Sequence, residues 1–254
     1  KMAIVVQEVV GHQYDDVFYP HISGVAQSYN YYPFAHMKPE EGFAIAALGL
    51  GKYVVDGGSA YRFSPAYPAV EILTPKDLYK NSQVKFLAVD LAKSDVNLLE
   101  GEMAGLREIE IDEAEHHGTL RHLASVYDRD NQRLVPGTNT PGPRVINFSN
   151  VLKYDYCPMA KTIEVVLDIV KEAMGTPVEI EFAIDLTRDA NYKTTFYLLQ
   201  IKPLIGAELD YQVDMDEIKK DEIVIFSVKG MGNGLVSDIT DVIYIVKDEF
   251  DKRK

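Results

Sequence analysis

The sequence predicts an α+β fold in which antiparallel sheet dominates and helices are few. Three observations support this prediction: strand-like apolar runs separated by turn residues, short stretches in which apolar and polar residues alternate, and one long amphipathic helix followed directly by a hairpin. With 254 residues, 46% of them hydrophobic, the chain is long enough to bury a sizeable core.

The part of the chain from Met2 to about Val70 contains three predicted strands, MAIVVQEVV, ISGVAQSYN and FAIAALGL, which Gly, Pro and Asp residues separate. From about 74 to 148 the runs become shorter, as in LREIEIDEAE, LRHLASVY and PRVINF. In the first of these runs Ile109 and Ile111 alternate with acidic residues, which predicts a strand with one solvated face.

The clearest helix is predicted from Pro158 to Met174, where apolar residues recur every three or four positions and form one stripe. Pro158 suits a first turn and Gly175 suits a C-terminal stop. The next segment, 178–204, is predicted to form two strands joined by a loop near Asp189.

This hairpin carries acids on one arm and an amide and an amine on the other. Glu179 and Glu181 are two residues apart on a strand, so their side chains share a face and lie roughly 7 Å apart. Alternation predicts that one face of the second arm holds Phe196, Leu198, Gln200 and Lys202. If the register places Glu181 opposite Leu198 or Gln200, all four polar groups lie on one surface.

Two interpretations of this surface follow from the residues. A carboxylate pair suits Mg²⁺, which binds one or two carboxylates together with phosphate oxygens, and a nearby lysine suits a transferring phosphoryl group. Alternatively, the hairpin has a solvent-exposed face on which Glu and Lys pair across the strands, a common arrangement that contributes little stability. Periodicity alone does not decide between them.

Composition narrows the class of partners. A formal net charge of −13, with basic residues interleaved among acids, argues against a nucleic-acid partner, because phosphate-binding surfaces need clustered Lys and Arg. The longest apolar stretches are shorter than the roughly 20 residues that span a bilayer, so no membrane association is expected. The single cysteine, Cys157, excludes an internal disulfide and suits a reducing cytoplasm. Because strand-like residues begin at once, we expect the chain to be part of a longer protein.

Five segments in this order resemble a known family: MAIVVQEVV, SGVAQSYN, ALGLGKYVVDGG, PVEIEFAID and FYLLQIKPL. They are similar to segments of the nucleotide-binding (PEP/pyruvate-binding) domain of phosphoenolpyruvate synthase and pyruvate phosphate dikinase. The resemblance implies the C-terminal part of an ATP-grasp fold over residues 1–206, with a divergent stretch at about 74–148, and the start of a following segment over 207–254. It also implies that an N-terminal subdomain with a phosphate-binding lysine and arginine lies outside this sequence.

The resemblance assigns roles to individual positions. Glu181 matches the family's metal-binding glutamate, and Glu179 replaces an aspartate that contacts the nucleotide, so both are expected at the metal. Gln200 matches the glutamine of the family's LQxRP motif, and Lys202 stands where that motif has an arginine on the transferring phosphate; we expect both to be catalytic. The remaining expected nucleotide-binding residues are Gln7 and Glu8 beside the adenine and Gly49 and Gly51 in a glycine-rich loop.

Three polar positions depart from the family. Lys52 replaces a glutamate of the glycine-rich loop, Tyr29 replaces an arginine, and Lys202 keeps the charge of an arginine but loses its planar bidentate fork. These departures indicate either a divergent subfamily whose site has its own geometry or a site that binds nucleotide without efficient chemistry.

The resemblance implies a phosphotransferase that uses Mg²⁺ and ATP and passes phosphate through a histidine on a separate domain to pyruvate, making phosphoenolpyruvate. By itself this chain is expected to be inactive. The alternative is a degenerate, non-catalytic nucleotide-binding or interaction module of a multidomain regulatory protein.

Overall fold

The computed structural model describes residues 4, 6–95, 97–188, 193–204 and four short pieces at 219, 221, 223–225 and 239–243. Contacts divide the chain into two compact units, 1–204 and 205–254. The predicted hairpin loop near Asp189 and most of the segment 207–254 lie outside the described residues, so the predicted domain boundary stays a prediction.

The described residues contain twelve strands and five α-helices. The strands are β1 (His12–Tyr14), β2 (Val17–Tyr19), β3 (Ile22–Gln27), β4 (Phe43–Ala47), β5 (Tyr61–Phe63), β6 (Lys85–Asp90), β7 (Leu106–Glu110), β8 (Ala124–Asp128), β9 (Arg133–Pro136), β10 (Arg144–Ile146), β11 (Val178–Asp185) and β12 (Thr195–Pro203). The helices are α1 (Lys52–Val55), α2 (Pro75–Lys80), α3 (Ile111–His116), α4 (Ser149–Leu152) and α5 (Met159–Met174).

The largest sheet has five strands in the order β12-β11-β3-β4-β5, and its neighbouring strands are antiparallel. One face of this sheet is apolar and buried. The residues on it include Ile180 and Phe182 of β11, Ala26 of β3 and Ala44 of β4, each at most 1% exposed. The Phe182 ring packs where Gly24 has no side chain, because a Cβ at Gly24 would collide with that ring and with the Ile45 carbonyl.

Helix α5 packs against β11, β12 and β3. Its predicted stripe is confirmed at Met159, Ile163, Leu167 and Val170, which are buried. Val166 is half-buried, and Met174, the last predicted member of the stripe, is exposed at the end of the helix. The predicted ends are confirmed as well: Pro158 precedes the helix and Gly175 ends it with φ of 67°, a left-handed conformation that glycine adopts without strain.

The stretch that the sequence marked as divergent supplies strands to two further antiparallel sheets. One has the order β1-β2-β6-β7 and the other β10-β8-β9. The predicted α+β fold dominated by antiparallel sheet is therefore confirmed. No helix among the described residues has the length and apolar character needed to cross a membrane.

Two strand predictions are wrong in part. Residues 6–10 of the predicted strand MAIVVQEVV form no strand, and Val6 and Val9 are exposed, because no described segment pairs with them. In LREIEIDEAE the strand ends at Glu110, and Ile111 begins α3, where it is buried. Ile111 and Ala114 are both buried and three residues apart, which is a helical spacing, but over so short a run the alternation of Ile109 and Ile111 with acids obscures it.

Candidate functional site

The face of the five-stranded sheet opposite α5 carries polar residues. Strand pairing places Lys202 opposite Glu179, and Glu179 opposite Gln27. The adjacent row across the sheet contains Gln200, Glu181, Val25, Ile45 and Arg62. Directly paired residues share a face, so these two rows form one surface, which we call the polar face. The register that places Glu181 opposite Gln200 is confirmed.

Two carboxylates on the polar face converge on one ammonium. The Lys202 Nζ lies 2.8 Å from Glu179 Oε1 and 3.1 Å from Glu181 Oε1. Hydrogen bonds raise the pKa of Lys202, the bond to Glu179 more than the bond to Glu181, so the ammonium stays protonated well above neutral pH. On the other side of Glu179, the Gln27 amide donates a hydrogen bond of 2.6 Å to Oε2, which fixes the orientation of this carboxylate.

The same chemical pattern occurs elsewhere in the molecule as an ordinary surface pair. On β7, Glu108 and Glu110 are also two residues apart, and the Lys85 Nζ of β6 lies 2.8 and 3.6 Å from them. Those two glutamates are 51% and 65% exposed, whereas Glu179 and Glu181 are 17% and 27% exposed. Partial burial and the bond from Gln27 therefore distinguish the polar face from a solvated ion pair.

A β-bulge in the hairpin corrects the predicted faces of β12. Phe182 pairs with Leu198 and Glu181 pairs with Gln200, so Leu199 is an extra residue without a partner on β11. As a result Phe196 and Leu198 lie on the apolar face, where the Phe196 ring stacks on Phe182, while Gln200 and Lys202 lie on the polar face. Simple alternation had placed all four on one face.

The glycine-rich loop between β4 and α1 reaches this side of the sheet. Gly49 has φ of 86° and packs against Phe86 and the Leu87 carbonyl of β6, where a side chain would collide. A Cβ at Gly51 would lie 3.5 Å from the Cβ of Ser23, which precedes Val25 by two residues on β3 and shares its face. The Lys52 ammonium lies 3.1 Å from Asp56 Oδ2, one helical turn further on.

The two residues predicted beside an adenine lie outside any strand. The Gln7 side chain donates a hydrogen bond of 3.2 Å to the Leu199 carbonyl, at the bulge of β12. Glu8 is exposed. The structure thus brings Glu179, Glu181, Gln200 and Lys202 together on the polar face, places Gly51 near it, and places Gln7 at the β12 edge.

Sequence reasoning missed Gln27 and Arg62. Both occupy the polar face only because β3 and β5 pair into the same sheet as the hairpin. The alternation of ISGVAQ signals that Gln27 shares a face with Val25, but local pattern does not identify Glu179 as its partner.

The donor set of the polar face fits a divalent cation. Two carboxylate oxygens already lie within 3.1 Å of one cationic nitrogen, so they can approach a single positive centre. Oxygen ligands of this kind are those that Mg²⁺ prefers. Glu179 and Glu181 are therefore the residues that would hold it.

Three other ligating groups lie close together away from the polar face. One ligand atom each of Asp15, Glu113 and His117 lies within 4.8 Å of the others. His117 is held by a 2.8 Å hydrogen bond to the Tyr19 hydroxyl and by stacking on Tyr14. Because both acids are largely exposed, this group resembles a surface cluster.

Cys157 is buried at the start of α5, and burial raises the pKa of its thiol to about 11. The thiol is therefore protonated at pH 7.5 and is a poor nucleophile. We expect iodoacetamide to label native Cys157 on the order of 100-fold more slowly than the unfolded chain. Mass spectrometry of the labelled protein measures both rates, and comparable rates would show that the thiol is neither buried nor protonated as described.

The antiparallel α+β architecture is consistent with the class of ATP-grasp-like domains. More specifically, residues 1–223 match the family described as "Pyruvate phosphate dikinase, AMP/ATP-binding domain". This match covers most of the chain, and the chain belongs to that family. A search of curated protein sequences finds no match. The family suggested by the five ordered segments is thus confirmed, and the chain is a nucleotide-binding part of a kinase-like phosphotransferase.

Proposed function

We propose that this chain binds ATP with Mg²⁺ on the polar face and supports phosphoryl transfer in a longer protein. In this proposal residues 1–206 are the C-terminal part of an ATP-grasp domain. The nucleotide's phosphorus–oxygen bond breaks as a bond forms to a histidine nitrogen on another domain. The histidine then passes the phosphoryl group to the enolate oxygen of pyruvate, giving phosphoenolpyruvate.

The observation that carries the proposal is the convergence of Glu179 and Glu181 on one cation, in a domain whose family binds AMP or ATP. Two carboxylates and one ammonium leave this part of the polar face with a net negative charge. A polyphosphate would be repelled there unless a divalent cation came with it. The charge balance therefore favours the metal complex of ATP over free ATP.

The residues of the polar face divide into two roles. Glu181 and Glu179 would hold Mg²⁺, which would neutralise part of the negative charge of the phosphates. Lys202 offsets charge on the transferring phosphate, and Gln200 donates its amide N–H to a phosphate oxygen. Gln27 keeps Glu179 oriented through its 2.6 Å hydrogen bond.

The remaining predicted residues would shape the rest of the nucleotide site. Gly51 lets the backbone pass close to the ligand, and Gly49 sets the turn that brings the loop to the sheet. Gln7, which is hydrogen-bonded to the Leu199 carbonyl of the edge strand β12, and the next residue, Glu8, would read the adenine.

Calorimetry of the full-length protein with ATP, in magnesium and in EDTA, tests this proposal. We expect saturable binding in magnesium and at least tenfold weaker binding in EDTA, because the carboxylates repel unmetallated phosphates. GTP at the same concentrations controls for nonspecific phosphate binding. Absence of ATP binding in magnesium would refute the proposal.

The non-catalytic alternative has one structural observation in its favour. The Lys202 ammonium already bridges both glutamates, in the position that a metal ion would share with them. If lysine replaces the metal permanently, ATP or another ligand binds equally well in magnesium and in EDTA. Equal affinities would therefore support a non-catalytic module.

Two further expectations belong to the proposal. Pyruvate and phosphoenolpyruvate, with the phosphohistidine domain and the N-terminal subdomain, are proposed as partners in the longer protein. A cytoplasmic location is proposed because the chain has one cysteine, which is buried and reduced.

A further inference from the structure

Arg62 lies on the polar face at the opposite end from the hairpin. Strand pairing connects it to the hairpin across the sheet. Arg62 on β5 pairs with Ile45 on β4, Ile45 pairs with Val25 on β3, and Val25 pairs with Glu181 on β11. Its guanidinium carbon lies 3.7 Å from the centroid of the Phe43 ring, a diagonal neighbour on the same face. The guanidinium therefore extends over β4, back toward the glutamates.

The guanidinium is held in place by neutral groups. Its Nη2 donates a hydrogen bond of 2.8 Å to Oδ1 of the buried Asn30. Among the residues that the structure describes, no carboxylate forms an ion pair with Arg62. Arg107 and Arg144, by contrast, are each paired with acids.

A half-buried cation of this kind has unused binding capacity. A guanidinium has five N–H donors in a planar fork that matches the oxygens of phosphate. Asn30 fixes the fork without itself neutralising the charge, and the Phe43 ring supports the guanidinium from one side. A bound oxyanion would complete the site.

The spacing on the sheet suits a single ligand. From Glu179 on β11 to Phe43 on β4 is two interstrand steps, or about 10 Å. Between them lie Gln27 in one row and Val25 and Ile45 in the next, all uncharged. A ligand with several phosphates can therefore touch the carboxylates at one end and the guanidinium at the other.

We propose that Arg62 binds a phosphate oxyanion on the polar face and that Asn30 is its positioning residue. This inference rests on the proposed function, because it takes the ligand at the glutamates to be a metal–nucleotide complex. The oxyanion is either a phosphate of the nucleotide itself or a separate inorganic phosphate. The two sources share the chemistry and are distinguished by experiment.

Calorimetry of the full-length protein with Mg-ATP, and with inorganic phosphate in magnesium, compares wild type with Arg62→Gln and Arg62→Lys. We expect Arg62→Gln to weaken one of the two ligands at least tenfold. The affinity for Mg-ATP falls if Arg62 binds a phosphate of the nucleotide. The affinity for inorganic phosphate falls if Arg62 binds a free anion. Arg62→Lys should give an intermediate loss, since it keeps the charge and loses the fork.

Arg129→Gln is the matched control. Arg129 also lies against an aromatic ring and donates to one neutral oxygen, both of Tyr79, but it lies outside the five-stranded sheet. Its loss should change neither affinity. Thermal unfolding followed by circular dichroism verifies that the variants are folded.

Unchanged affinities of folded Arg62→Gln for both ligands would overturn the role of Arg62 while leaving nucleotide binding intact. If wild type itself binds no Mg-ATP, the proposed function fails. Phosphate binding that depends on Arg62 would then still support the oxyanion site, and its absence would remove both proposals.

Discussion

Replacing Glu181 by glutamine is expected to abolish most magnesium-dependent ATP binding, with a loss of affinity on the order of 100-fold or more. Glutamine has nearly the shape of glutamate but no charge, so the polar face would hold one carboxylate, Glu179, for the cation. Glu179→Gln should have a similar effect, because a single amide oxygen cannot accept from both Gln27 and Lys202 as the two carboxylate oxygens do. Calorimetric titration of Mg-ATP into the full-length protein measures both losses.

The chain offers a close control for this prediction. Glu108→Gln removes one acid from the other pair of glutamates that shares a lysine, on β7, which is more exposed and lies in a different sheet. It should leave Mg-ATP affinity unchanged within twofold. Equal losses in Glu181→Gln and Glu108→Gln would mean that general surface charge, and not a built site, governs the binding.

The polar face also shows which parts of a site can be predicted from sequence. Alternation along Val178–Asp185 places Glu179 and Glu181 together because a strand has a period of two, and the structure agrees. Helix α5 is predicted to within one residue because its stripe and its two ends are local signals. Features that depend on one segment alone can therefore be predicted from the sequence.

The second arm of the hairpin shows where this logic fails. The alternating residues from Phe196 to Lys202 suggest one continuous face, but the bulge at Leu199 changes the phase of the strand. The bulge satisfies two requirements at once: Phe196 packs against the core, on Phe182, and Lys202 stays beside the glutamates. No particular residue type marks a one-residue change of phase, so the bulge is identified only from the pairing of β12 with β11.

Residues that reach the polar face from other strands could not be predicted from the sequence for a different reason. Gln27 is separated from Glu179 by 152 positions, and the two meet because β3 pairs with β11. Arg62 comes from β5, two strands further on. The sequence had suggested a missing cation because Tyr29 stands where the family has an arginine. The structure holds a guanidinium against the side chain of Asn30, the next residue.

Truncating Phe182 to alanine is expected to be among the most destabilising single changes, at about 3–5 kcal/mol of unfolding free energy. The ring is 1% exposed, stacks on Phe196 with centroids 5.3 Å apart, and covers Gly24. Its removal leaves a cavity that Gly24 has no side chain to fill. Urea unfolding followed by circular dichroism measures the loss, and Phe34→Ala, at an exposed phenylalanine, should change stability by about 0.5 kcal/mol or less.

The position of Phe182 next to Glu181 links this prediction to the site. Adjacent strand residues face opposite sides, so the truncation alters the apolar face and leaves the carboxylates in place. Folded Phe182→Ala should therefore bind Mg-ATP with near wild-type affinity, and saturating Mg-ATP should stabilise variant and wild type by similar amounts. A cost below about 1 kcal/mol would show that the apolar face is not packed as described. A large loss of affinity in the folded variant would show that the two faces of the sheet are not independent.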